Sequence, residues 1–93
     1  MVDSRQTFYK CKEFHVEFQE LGGQFHVHCT VSRFTKSILE AMYILFAQLS
    51  MFAKARGYSE MISVSPNRKF CELFGAECVA EQDGYEVMIW DLR

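Results

Sequence analysis

Ninety-three residues, 49% of them apolar and including nine Phe, four Tyr and one Trp, make one domain with ample core material. A chain this short buries only about 60–65% of its unfolded surface, so apolar surface left for a partner is expected. The net charge of −2 hides an asymmetry: residues 32–69 hold six Lys/Arg against two Glu, and residues 70–93 hold one Arg against six acids. Such an acidic C-terminal part repels phosphate, which disfavours direct nucleic-acid binding and suits a basic protein surface.

Residues 1–6 lack an apolar period and read as a flexible N-terminus, leaving 7–93 as a single domain. Met1 to Lys12 is polar and charged, unlike a secretory leader. The four cysteines, Cys11, Cys29, Cys71 and Cys78, form no CxxC pair and are expected as free thiols in a reducing cytoplasm.

From Thr7 to Leu21 the chain alternates, with one irregularity near Lys10 to Lys12. Gly22-Gly23 is a two-residue hairpin signal. A tight turn there sets the register by arithmetic. Phe14 meets Val31, Val16 meets Cys29 and Phe18 meets Val27 on an apolar face. His15 meets Thr30, Glu17 meets His28 and Gln19 meets His26 on a polar one. His26 and His28 therefore project to one side, beside His15 and Glu17. A Glu17–His28 pair could supply a general base. Two imidazoles with unfixed neighbours fall short of a metal site, so none is expected. The favoured role of His15, Glu17, His26 and His28 is to face a partner.

Ser32 or Thr35 caps the next helix. Phe34, Ile38, Met42, Leu45, Leu49, Phe52 and Arg56 follow helical spacing, and Tyr43, Ile44 and Met51 widen the apolar arc. A helix apolar nearly all round is buried on more than one side, here by the sheet and by a second helix or subunit. Glu40, Gln48 and Ser50 interrupt it, short of the ~20 unbroken apolar residues of a membrane span. Gly57 ends it.

Met61 to Ser65 reads as a strand parallel to its predecessor. Ser65-Pro66 opens a second helix that Gly75 stops. Arg68 and Lys69 place positive charge where the helix dipole disfavours it, which suits an anion or acidic partner. Glu77 to Gln82 and Tyr85 to Leu92 form a hairpin around Asp83-Gly84, with Cys78 opposite Ile89, Val79 opposite Met88 and Ala80 opposite Val87. The expected class is α+β: a mixed, mostly antiparallel sheet with a long central helix and a short second one, in the order β-β-α-β-α-β-β.

That order, with ARGYSEMISVSPN, KFCELFGAECV and YEVMIWDL, resembles the C-terminal two-thirds of the GCN5-related N-acetyltransferase superfamily over roughly residues 12–92. Asn67 and Phe74-Gly75-Ala76 sit at two of the family's landmarks. The resemblance implies an acetyltransferase fold and, for an active enzyme, acetyl-CoA as cofactor. Its Gly-rich pyrophosphate loop would fall on Thr30 to Ser37, which has no glycine, and Val31, Phe34 and Thr35 crowd the backbone there.

The leading expectation is a small non-catalytic protein of acetyltransferase-like fold that binds a protein. In its concrete form it is a phage or mobile-element inhibitor of a host defence factor, of the anti-CRISPR type, with no cofactor. The alternative is an acetyl-CoA-dependent N-acetyltransferase. It would use Glu17 or His28 as base, Ser32, Arg33, Thr35 and Lys36 around the pyrophosphate, Asn67 for the cofactor arm and Cys71 as acid. A third reading is a structural homodimer paired through the long helix or the last hairpin.

Overall fold

A computed structural model describes residues 5–65 and 68–93. The elements are β1 (Gln6–Lys10), β2 (Phe14–Leu21), β3 (Gln24–Val31), α1 (Lys36–Ala55), β4 (Glu60–Ser65), α2 (Arg68–Leu73), β5 (Glu77–Gln82) and β6 (Tyr85–Asp91). They build one sheet in the order β1-β2-β3-β4-β6-β5. Only the β3–β4 pair is parallel. The α+β class is thus as expected, with one strand more than the sequence suggested. The loose end expected over residues 1–6 falls largely outside the described residues.

The extra strand comes from the irregularity near Lys10 to Lys12, which is a full reversal. Cys11 N–H donates to the Phe14 carbonyl at 2.9 Å, and β1 returns against β2 from Lys10↔His15 to Gln6↔Phe18. Cys11-Lys12-Glu13 contains none of the Gly, Pro or Asn residues that usually mark a turn. A bulge between Thr7 and Tyr9 lets Phe8 turn inward, where its ring meets Phe18 and Phe52.

The β2–β3 register is the expected one at every position from Phe14↔Val31 to Leu21↔Gln24. Gly22 and Gly23 have φ of 60° and 78°, a conformation that glycine alone adopts without strain. The second hairpin departs from expectation. Ala80↔Val87 and Glu81↔Glu86 hold, but a bulge between Cys78 and Ala80 shifts the rest, so Cys78 faces Met88 and Glu77 faces Ile89. Val79, expected opposite Met88, is the extra residue and is exposed. Its small neighbours Cys78 and Ala80 leave the register there to the bulge rather than to packing.

Thr35, not Ser32, caps α1: its hydroxyl oxygen accepts from Ile38 N–H at 3.2 Å. Ser32 instead ties the helix approach to the β1–β2 turn, its N–H and its hydroxyl both donating to the Glu13 carbonyl. Both helices end on a glycine with positive φ, Gly57 and Gly75. In each, the next residue's N–H reaches back five residues, Tyr58 to Ala53 and Ala76 to Cys71.

In length and composition α1 does meet the requirement of a membrane span, contrary to the expectation from its polar interruptions. One side of it packs into the core. Met42, Leu45, Phe46, Leu49 and Ala53 bury against Phe14, Val16, Phe18, Phe25, Val27, Met61, Met88 and Trp90 of the sheet. α2 closes the same side. Phe74, just past its end, stacks on Phe46 at 4.8 Å, and Trp90 Nε1–H donates to the Phe74 carbonyl at 2.9 Å.

The end of α1 is tied to the tip of β2 by Glu20. Its carboxylate accepts from Arg56 Nε and Nη2 at 2.9 and 2.6 Å and from the Tyr58 hydroxyl at 2.8 Å. These hydrogen bonds hold the Glu20 pKa below the ordinary carboxylate value. A depressed native pKa gives stability that is present above the unfolded value of about 4.3 and lost as pH falls through the native one. Acidification from pH 5 towards 3 should therefore lower the urea midpoint more in the natural protein than in Glu20→Gln. Equal losses would show that this cluster adds nothing.

Candidate binding face

The period-two alternation of the strands sorts the sheet into two faces. Both helices pack on the inner one. The outer face carries His15, Glu17 and Gln19 from β2, His26, His28 and Thr30 from β3, Ile62 and Val64 from β4, and Val87 and Ile89 from β6. The cross-strand partners Glu17↔His28, Gln19↔His26, His26↔Ile62, Ile62↔Ile89 and Val64↔Val87 place them side by side. Among the described residues no helix covers this face.

Its two halves differ in chemistry. On the β1–β3 side, the Thr7 hydroxyl and His15 Nε2 share a hydrogen bond of 2.9 Å. Glu17 Oε1 lies 4.0 Å from His15 Nδ1 and 3.9 Å from an Arg5 guanidinium nitrogen. His28 Nε2 is buried and has no hydrogen-bond partner among the described residues. Burial first, then Arg5 and His26, push the His28 pKa down against the opposing pull of Glu17. That environment favours the neutral imidazole.

The β4–β6 side is aliphatic. Ile62 is only 7% exposed yet stands apart from the main core cluster. Its strand neighbours His26 and Ile89 hide it. Val64 beside it is exposed, and Val87 and Ile89 are half-buried. The sequence pointed to the imidazoles and missed this aliphatic patch. The signal was present in MISVS, where Ile62 and Val64 alternate with Met61 and Ser63, so that both faces of the strand carry apolar side chains.

The expected site residues fall in three places. His15, Glu17, His26 and His28 share the outer face, as the register required. Cys71 is 3% exposed in the core on the helix side of the sheet, remote in orientation from Glu17 and His28. Cys29 sits near it, its thiol pushed up to about 12 by burial and by Cys71, so it is no nucleophile at neutral pH. Ser32, Arg33, Thr35 and Lys36 lie exposed at the start of α1, with the Thr35 oxygen and the Ser32 hydroxyl already engaged. Asp83 is the only non-glycine with positive φ among the described residues, so the backbone from 32 to 37 makes no left-handed nest for phosphate.

Lys69 lines an open depression with Phe34, Phe70, Glu72 and Leu73, where the Phe34 and Phe70 rings meet edge to face at 5.5 Å. Arg68 opens α2, and its side chain lies outside the described part. Asn67 and the expected Ser65-Pro66 cap also lie outside it. Among the described residues no three His, Cys, Asp or Glu side chains gather as a metal site. Compared with family models, curated proteins and solved structures, the chain matches none.

Proposed function

We propose that this chain is a small binding protein that takes a protein partner on the outer face of its sheet and turns over no substrate. One observation carries this: both helices cover one side of the sheet, while the other presents a continuous aliphatic patch bordered by a polar cluster. An exposed apolar patch edged by polar groups marks a protein interaction surface. Val64, Val87 and Ile89 supply area that loses water on contact. Arg5, Glu17 and the three imidazoles supply direction. A partner held this way is blocked rather than chemically altered, which is how an inhibitor acts. The anti-CRISPR form of the proposal adds only the small size and the acetyltransferase-like order of elements.

The alternative, an acetyl-CoA-dependent N-acetyltransferase, has one observation in its favour. The parallel ladder of β3 and β4 is confined to Phe25↔Met61 and His26↔Ile62. Beyond it the two strands offer edges that an extended amide chain, such as a pantetheine arm, could hydrogen-bond. Against it stand the burial of Cys71 and the absence of a phosphate nest before α1. Titration calorimetry with acetyl-CoA separates the two. Binding proteins of this kind give no heat with millimolar ligand; micromolar affinity would establish the enzyme and overturn the proposal.

A further inference from the structure

We propose that two copies of this chain pair through the outward stripe of α1, antiparallel, about a two-fold axis at Ala47. The helix buries Met42, Leu45, Phe46, Leu49 and Ala53, and its opposite side is apolar as well. Tyr43 is 51% exposed, Ile44 63% and Met51 73%, with exposed Ala47 between them. Exposed apolar groups gathered in one stripe mark an interaction surface, unlike apolar residues scattered singly.

The charges at the ends of that stripe identify the occupant. Glu40 and Lys54 are both exposed, and neither has an ion-pair partner among the described residues. Each is seven residues from Ala47. Seven residues are just under two helical turns, so Glu40, Ala47 and Lys54 share one line, the charges standing about 10 Å either side of the centre. A two-fold interface brings the same patch against itself, with residue i meeting residue j and j meeting i. Antiparallel pairing about Ala47 sets Glu40 of each copy against Lys54 of the other, and Tyr43 against Met51. Parallel pairing would set Glu40 against Glu40. The small Ala47 at the crossing lets the helices approach to about 8 Å, the near end of the usual packing range. An anionic lipid surface would meet the apolar side chains and Lys54 but repel Glu40.

This inference stands apart from the outer face of the sheet. α1 lies on the other side of the sheet, so a pair joined through it carries two free binding faces.

Sedimentation equilibrium of the full chain at low salt tests it, with circular dichroism to confirm that each variant is folded. The natural chain is expected to dimerise. Glu40→Lys and Lys54→Glu each replace two attractive pairs with two repulsive ones and should weaken the dimer about tenfold. The double variant Glu40→Lys/Lys54→Glu restores both pairs in reverse and should recover most of that loss. A monomer at millimolar concentration would overturn the proposal, as would a dimer indifferent to the single changes. A double variant no tighter than the singles would do the same. So would a monomer that instead sediments with phosphatidylcholine–phosphatidylglycerol vesicles, since lipid would then be the occupant.

Discussion

Phe25→Ala should lower the folding free energy by about 3–5 kcal/mol, the range for emptying a buried aromatic site. Phe25 is fully buried at the start of β3. Its ring stacks on Phe18 at 5.2 Å, meets Phe52 edge to face at 6.1 Å and touches Tyr58 at 5.3 Å. It thereby joins β2, the last turns of α1 and the approach to β4. It also stands opposite Met61 in the short parallel ladder, so its loss weakens the one junction between the β1–β3 and β4–β6 halves of the sheet. Domains of this size are stable by about 5–15 kcal/mol, so the variant should be close to unfolding. Urea denaturation followed by Trp90 emission measures it. A cost under about 1 kcal/mol would mean that the aromatic cluster is not packed as described.

Phe46→Ala should cost a similar amount, about 3–5 kcal/mol, with a different signature. Phe46 is a central contact through which α1 holds the second half of the molecule. It stacks on Phe74 at 4.8 Å and on Trp90 at 5.5 Å. Without it, Phe74 keeps only its contacts with Tyr43 and Phe70, and its carbonyl, which accepts the Trp90 indole N–H, is held less firmly. Trp90 emission should shift to the red in the absence of denaturant, and Cys71, buried on the adjacent α2, should become reactive towards a thiol reagent. Unchanged emission and an unreactive Cys71 would show that the α2–β6 corner is held by other contacts.

The parts of this fold legible in the sequence are those that local chemistry over-determines. Gly22-Gly23 admits one tight turn, and the wholly apolar set Phe14, Val16 and Phe18 admits one register beyond it, so the neighbours of His26 and His28 followed. Asp83-Gly84 placed the last turn equally well, Asp83 taking φ 52° and Gly84 φ 80°. Where chemistry was ambiguous, the reading slipped. The reversal at Cys11-Lys12-Glu13 has no turn residue and marks itself only as one irregularity in the alternation, so β1 and β2 read as one strand. Val79 could sit on either face, and the bulge decided it.

The polar half of the outer face was legible for the same reason as the register. The aliphatic half was not. That Ile62 and Ile89 are apolar is plain in the sequence; that no helix lies over them depends on both helices choosing the other side, a property of the whole chain. Within the described chain the outward stripe of α1 is uncovered, so of the two covers the sequence suggested, a second helix or a second subunit, the helix does not supply it. α2 reaches only its Tyr43 and Phe46 side, through Phe74.

The outer face can be interrogated by a photo-crosslinking amino acid placed at Val87, in the middle of the aliphatic patch, and at Lys12, in the exposed β1–β2 turn, within cells that make the protein. The account predicts one discrete adduct from Val87, lost when Val64→Glu is added, and none from Lys12. An adduct from Lys12 with none from Val87, or a Val87 adduct indifferent to Val64→Glu, would contradict it.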